Sequence, residues 1–186
     1  MKRIFDIIMS ILFVIVLSFP MLLIAIAVKL SSKGPVLFWS NRIGQYNEIF
    51  KMPKFRSMKL ETPTIATHLM TNAENYITPI GRFLRQTSLD ELPQLFSIIK
   101  GDMSFVGPRP ALFNQKDLIS IRKESGVDNL LPGVTGWAQV NGRDKLSISE
   151  KALMDSYYLQ NKSFWLDIEI LWKTFLKVLI RDNVSH

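Results

Sequence analysis

The sequence predicts a mixed α/β fold, mostly helical, with a membrane-embedded N-terminus. Three observations predict it. An uncharged run of 22 residues spans Ile7–Val28, and about 20 such residues suffice to cross a bilayer. Two β-like runs flank a turn between Gly34 and Met58. Helical apolar patterns then dominate the second half of the chain, closing with an amphipathic stretch at Ser163–Asp182.

The composition narrows the functional classes. At 186 residues the chain suits one domain plus an appendage. Twenty-three Lys and Arg against sixteen Asp and Glu give a net charge of +7, which suits an anionic partner such as nucleic acid, a membrane surface or a phosphorylated small molecule. With no cysteine, disulfides, thiolate metal sites and thiol nucleophiles are excluded. The histidines are His68 and the last residue, His186, so a His-based dyad or metal centre is not indicated.

The N-terminal run admits three readings. The basic start Met1-Lys2-Arg3 and the Ala25-Ile26-Ala27 triplet mimic a signal peptide, but the run exceeds the usual 7–15 residues. A plain transmembrane helix is the second reading. The third is a re-entrant hairpin that enters and leaves on one face. Pro20 lies in mid-run and removes a helix hydrogen bond, so a kink or break is expected there. Lys2 and Arg3 flank one end while Lys29 and Lys33 flank the other, so positive charge does not orient the segment.

In Gly34–Met58, "VLFWS" and "EIFKM" read as strands around the turn "NRIGQYN", with Pro53 ending the second strand. Lys54 and Arg56 alternate with Phe55, which on an extended chain puts both cations on one side. They make either a solvated basic edge or a phosphate-binding pair. Residues 60–81 are polar and carry little pattern.

"RFLRQTSLDELPQLFSIIKGD" reads as a buried helix closed by Gly101. Asp90 and Glu91 fall at its start. With Asp90 as N-cap, Pro93 occupies N3, where a missing N–H costs little. With Ser88 as N-cap, Ser88 and Glu91 form a capping box. Helix N-termini favour ionised carboxylates. Such a carboxylate can cap, act as a nucleophile or bind a divalent cation. Arg82 and Arg85 precede the pair, and Arg109 follows in a rigid Pro-Arg-Pro loop.

"LLPGVTGWAQVNGRDK" is rich in glycine and carries Thr135, Gln139, Asn141 and Arg143. It is either an ordinary tight loop or a surface for phosphate or base, though it lacks the standard nucleotide fingerprints. In "SFWLDIEILWKTFLKVLIRD", Phe164, Trp165, Ile168, Leu171, Trp172, Phe175, Leu176 and Leu179 share one broad face. Asp167, Lys173, Thr174, Lys177 and Arg181 fall mostly opposite. The helix either packs on the core or lies in a membrane interface.

Four stretches together carry a resemblance: "KMPKFRSM", "SLDELPQLFSIIKGDMSFVGPRP", "PGVTGWAQVNGR" and "SFWLDIEILWKT". In order and spacing the chain resembles the monotopic phosphoglycosyl transferases, the bacterial sugar transferase family, in its small catalytic form. The resemblance implies a re-entrant membrane hairpin over residues 1–32. It also implies a catalytic domain over 33–186, with a short β-hairpin and amphipathic interfacial helices around a small core. That domain would lie on the cytoplasmic face of the bacterial inner membrane. The family breaks its hairpin at a Ser-Pro pair, which is interrupted here as Ser18-Phe19-Pro20.

The implied reaction moves a phospho-sugar from a UDP-sugar to polyprenyl (undecaprenyl) phosphate and releases UMP. Asp90 is the implied nucleophile, forming a covalent phospho-sugar adduct, and Glu91 its partner carboxylate. Mg²⁺ is the implied cofactor, held by Asp90. Lys54, Arg56, Arg85, Arg109 and Arg143 are the candidate phosphate-binding cations, with Thr135, Gln139 and Asn141 as further binding candidates. Asp155, Tyr157 and Tyr158 match the family pattern without an assigned role. Inner-membrane lipid is an implied partner and nucleic acid is not. The rival reading is a non-enzymatic membrane-anchored adaptor whose basic face binds anionic lipid or nucleic acid. The sequence names no particular sugar, pathway or oligomeric state.

Overall fold

The computed structural model describes residues 1–63, 73–142 and 145–180. Seven α-helices and four short strands appear among them. The order is α1 (Lys2–Ser31), β1 (Leu37–Ile43), β2 (Ile49–Phe55), α2 (Pro79–Gln86), α3 (Gln94–Lys100) and β3 (Ser104–Val106). It continues with α4 (Lys116–Glu124), β4 (Gly133–Thr135), α5 (Trp137–Asn141), α6 (Ile148–Asn161) and α7 (Phe164–Ile180).

α1 is one helix, with Pro20 inside it. The expected break at Pro20 is therefore not a break in secondary structure. By length and composition α1 could cross a membrane. One stripe of it packs along the domain. Asp6, Ser10 and Val28 are buried. Val14 and Leu17 lie against Met52, Leu95, Ile98 and Met103, and Met21, Ile24 and Ala25 against Phe55 and Leu84. The spacing is that of one helical face. The other faces expose Ile8, Ile15, Val16, Phe19 and Leu23.

The predicted hairpin forms as β1–β2, antiparallel, but Pro53 does not end the second strand. It sits within β2 opposite Trp39. In a two-stranded sheet each strand is an edge, where a proline costs no ladder bond if its nitrogen faces outward. The turn is shorter than expected and passes through Tyr46 and Asn47 with positive φ.

The single buried helix expected around the paired acids is three pieces: α2, a 3-10 turn at Leu89–Glu91, and α3. Ser88 takes a left-handed conformation (φ 56) that interrupts the helix, and Pro93 caps α3 without a side-chain bond. Gly101 closes α3 in the left-handed region, as predicted. Phe83 and Phe96, within the stretch read as a buried helix, are exposed.

Two strands were not foreseen. β3 and β4 pair in parallel, Ser104 with Gly133 and Val106 with Thr135, and set the 107–111 loop beside the paired acids. The glycine-rich stretch is accordingly a strand and a short helix rather than a loop. α7 turns Ile170 into the core and leaves Trp165, Trp172 and Phe175 exposed. Asp167, expected on the solvent side, is buried; it accepts from Tyr158 Oη at 2.6 Å and from Lys2 Nζ at 2.6 Å. Those bonds tie α1, α6 and α7 at one end of the molecule.

Candidate active site

Neither acid caps α3, so both capping expectations fail. After the left-handed Ser88, the 3-10 turn Leu89–Glu91 runs ahead of α3, and the Glu91 side chain meets β2 and the 107–111 loop. Lys54 Nζ donates to Glu91 Oε1 at 2.7 Å and Arg109 Nη2 to the same oxygen at 2.9 Å. Burial alone would raise the Glu91 pKa, but Arg109 and Lys54 together hold it well below the ordinary carboxylate range.

Asp90 differs. It is only 6% exposed, and no hydrogen bond or ion pair engages its carboxylate among the described residues. Burial pushes its pKa above the ordinary 3.8; Glu91 adds to the rise, and Lys54, Arg85 and Arg109 oppose it. Two adjacent acids thus have unlike environments. Glu91 is a fixed anion bridging two cations, and Asp90 is a desolvated carboxylate facing three.

Lys54, Arg85, Asp90, Glu91 and Arg109 are therefore brought together. Arg85 reaches the group from α2 and also contacts the Met58 sulfur at 3.4 Å. Arg56 is not brought in. Its guanidinium donates to Ser32 O at 2.8 Å and Lys33 O at 2.6 Å. It thereby fastens the C-terminal end of α1. The expected shared face fails because β2 ends at Phe55, one residue before Arg56.

Thr135 bonds Thr174 of α7 at 2.7 Å, and Asn141 donates to Trp137 O within α5. Gln139 is buried, and among the described residues neither of its amide atoms has a hydrogen-bond partner. Arg143 lies outside the described residues.

Arg42 was missed. It is mostly buried and donates to Ser40 Oγ at 3.0 Å and to Pro110 O at 3.2 Å. Burial and the Arg109 charge lower its pKa to about 10, against the pull of Glu91. Read alone, it looks like an ordinary solvated turn residue. Its only signal was its place two residues after Ser40, which puts both side chains on one face of a strand.

The donor set bears on a divalent cation. Among the described residues no group of three or more acidic or imidazole ligands forms. Mg²⁺ commonly takes one or two carboxylates with the rest of its shell from substrate phosphates and water. Asp90, whose carboxylate no hydrogen bond or ion pair engages among the described residues, fits that mode. Glu91 is already committed to Lys54 and Arg109.

Comparison with known proteins adds a second line of support. The family model described as bacterial sugar transferase matches residues 1–181. An undecaprenyl-phosphate galactose phosphotransferase of Salmonella typhimurium is 38% identical over 98% of this chain and 41% of its own length. A UDP-glucose:undecaprenyl-phosphate glucose-1-phosphate transferase of Escherichia coli is 40% identical over 95% of this chain and 40% of its own. The uncharacterized sugar transferase EpsL of Bacillus subtilis is 38% identical over the whole chain and 91% of its own length. The chain thus spans about two fifths of the two longer relatives.

Proposed function

The chain belongs to the bacterial sugar transferase family, and from that premise we propose that it transfers a sugar phosphate from a UDP-sugar to polyprenyl phosphate. One observation carries the reading. A buried carboxylate, Asp90, which no hydrogen bond or ion pair engages among the described residues, faces Lys54, Arg85 and Arg109, while the adjacent Glu91 binds two of those cations. An adaptor binding anions would gain nothing from burying a carboxylate among its arginines.

In this reading an Asp90 oxygen attacks the sugar-bearing phosphorus of the UDP-sugar. The bridging P–O bond breaks, and UMP leaves with its electron pair. An oxygen of the lipid phosphate then attacks the aspartyl phospho-sugar, and the Asp90–P bond breaks to restore the carboxylate. Phosphoryl transfer asks a protein for positioning and charge stabilisation more than for acid–base power. Lys54, Arg85 and Arg109 supply positive charge around the phosphates, and Arg suits phosphate oxygens by its planar fork. Glu91 keeps Lys54 and Arg109 in place before substrate arrives. Mg²⁺, held by Asp90 and the diphosphate, would neutralise charge on the phosphate oxygens.

The membrane reading follows from α1. Thirty residues make a helix about 45 Å long, longer than the roughly 30 Å hydrocarbon layer. Both of its ends are fastened to one small domain, Lys2 and Arg3 at the start and Ser32 at the finish. A spanning helix would carry those ends to opposite faces. We therefore place both ends on one face, with the exposed apolar sides of α1 in lipid. The exposed Trp and Phe residues of α7 suit the same interface. UDP-sugars are cytoplasmic, so that face is the cytoplasmic one of the inner membrane.

UMP release tests the proposal. Purified protein is mixed with Mg²⁺, a panel of UDP-sugars, and undecaprenyl phosphate present or absent. Lipid-dependent turnover abolished by Asp90→Asn is expected, along with a labelled phospho-sugar trapped on Asp90 when lipid is withheld. Turnover that survives Asp90→Asn would remove the nucleophile from this site.

A further inference from the structure

The loop that carries Arg109 is held at every carbonyl from Pro108 to Ala111. Gly133 N donates to Pro108 O at 2.9 Å, Arg122 Nη1 to Arg109 O at 2.9 Å, Arg42 Nη1 to Pro110 O at 3.2 Å, and Ile43 N to Ala111 O at 2.9 Å. The donors come from three separate segments of the chain: β1, α4 and β4. Pro108 and Pro110 add fixed φ angles on both sides of Arg109.

One of these donors is itself held in place. Arg122, in the last turn of α4, gives Nε and Nη2 to Asp155 Oδ2 at 3.0 and 2.6 Å. Asp155 lies within α6 and is 1% exposed; the Arg122 side chain is 11% exposed. Joining α4 to α6 does not require ions. Apolar side chains of similar volume usually do so at least as well, because two buried charges cost several kcal/mol to desolvate. What an ion pair adds is direction. The planar guanidinium uses one edge on Asp155 and its remaining nitrogen on Arg109 O, so the carboxylate fixes the direction of the bond to the loop.

The geometry points to Arg122 and Asp155 as a positioning pair that aims Arg109 at the transferred phosphate. Neither touches the reacting atoms; both act through the backbone of Arg109. This inference rests on the transferase reading above. It gives Asp155 a role that its place in the sequence did not disclose.

A double-mutant cycle on kcat/KM for UMP release tests it. Arg122→Gln in the wild-type chain is expected to lower kcat/KM by about 10- to 100-fold, the usual cost of misplacing a catalytic group by an ångström. In an Arg109→Ala background the same change should cost under about 2-fold, because a group that is absent cannot be misaimed. Asp155→Asn, which keeps the shape and one acceptor, should recover most of the activity lost in Asp155→Ala. Asp155→Asn also carries the cycle should Arg122→Gln not fold. A merely structural pair would lower activity by the same factor in both backgrounds, and that result would overturn the proposal. A parallel cycle reads the affinity of UDP with Mg²⁺ by calorimetry. UDP binding without UMP release would overturn the transferase reading and leave the pair to be judged on the binding cycle. No UDP binding by the wild-type chain would overturn both.

Discussion

Glu91→Gln removes one negative charge from between two cations. Lys54 and Arg109 both donate to Glu91 Oε1, at 2.7 and 2.9 Å, and their side chains are 15% and 38% exposed. A hydrogen bond to a charged group is worth about 1.5–3 kcal/mol net. The Arg109 share falls to the lower end because water screens it. The glutamine carbonyl still accepts one bond, but Lys54 becomes a largely buried cation without its anion. A loss of about 2–4 kcal/mol follows, lowering the unfolding temperature of a chain this size by roughly 4–16 °C.

The pH dependence has a definite sign. The folded-state pKa of Glu91 lies below its ordinary 4.5. Its ionisation therefore contributes stability that is fully present above 4.5 and is lost as pH falls toward the folded value. Thermal unfolding in detergent micelles from neutral pH down through 4.5 should show this acid limb in the wild type and a shallower one in Glu91→Gln. The double variant Lys54→Met/Glu91→Gln should be more stable than Glu91→Gln alone, since the stranded cation is gone. Equal stability of wild type and Glu91→Gln, or strict additivity with Lys54→Met, would refute the bridging role.

Three further outcomes follow from other contacts. Tyr158→Phe removes the bond to Asp167 and should destabilise by about 1–3 kcal/mol, read by denaturant unfolding. Gly107→Ala would put a Cβ 2.3 Å from Leu131 O and 2.9 Å from Gly133 N. The β3–β4 approach must open, and UMP release should fall by at least about 10-fold along with a lowered unfolding temperature. Ser147→Ala breaks the capping box at the start of α6 and should lower the unfolding temperature by about 2–4 °C.

Much of this fold was legible wherever a local pattern decides the structure. The apolar run became α1, the alternating runs became β1–β2, and Gly101 closed α3, each from information within a few residues. The pairing of Asp90 and Glu91 was legible as a place, but the cap expected there was not its function. Ser88 adopts φ 56, a conformation that Gly and Asn favour, so nothing in its identity announced it. β3 and β4 are three residues each, and their parallel pairing bridges some thirty positions. Periodicity cannot register in so short a strand. Arg56 and Asp167 were misplaced for a common reason. A charged residue in a periodic pattern, alternating for Arg56 and helical for Asp167, was assigned to phosphate or to solvent, whereas each binds a partner more than twenty positions away.

Arg56, with Arg3 and Asp6, also bears on why, under the proposed reading, the chain carries α1 folded against the rest of the domain. Arg3 donates to Ile98 O at 2.6 Å and Ile99 O at 2.9 Å, at the C-terminal end of α3, where a cation meets the negative end of the helix dipole. One turn later, Asp6 accepts from Phe105 N of β3. α3 begins three residues after Glu91, and β3 ends three residues before Arg109. The start of α1 thus grips the far end of α3, which follows the paired acids, and the middle of β3, which precedes the loop arginine. Arg56 grips the finish of α1 from the residue just past β2, two positions after Lys54. Groups on three sides of the candidate site are referenced to one helix, so under the proposed membrane placement whatever orients α1 in the bilayer would orient Asp90 with it. Under the proposed reading, the carboxylate meets a soluble nucleotide and a lipid phosphate in turn and needs a fixed height above the membrane, which this arrangement would supply.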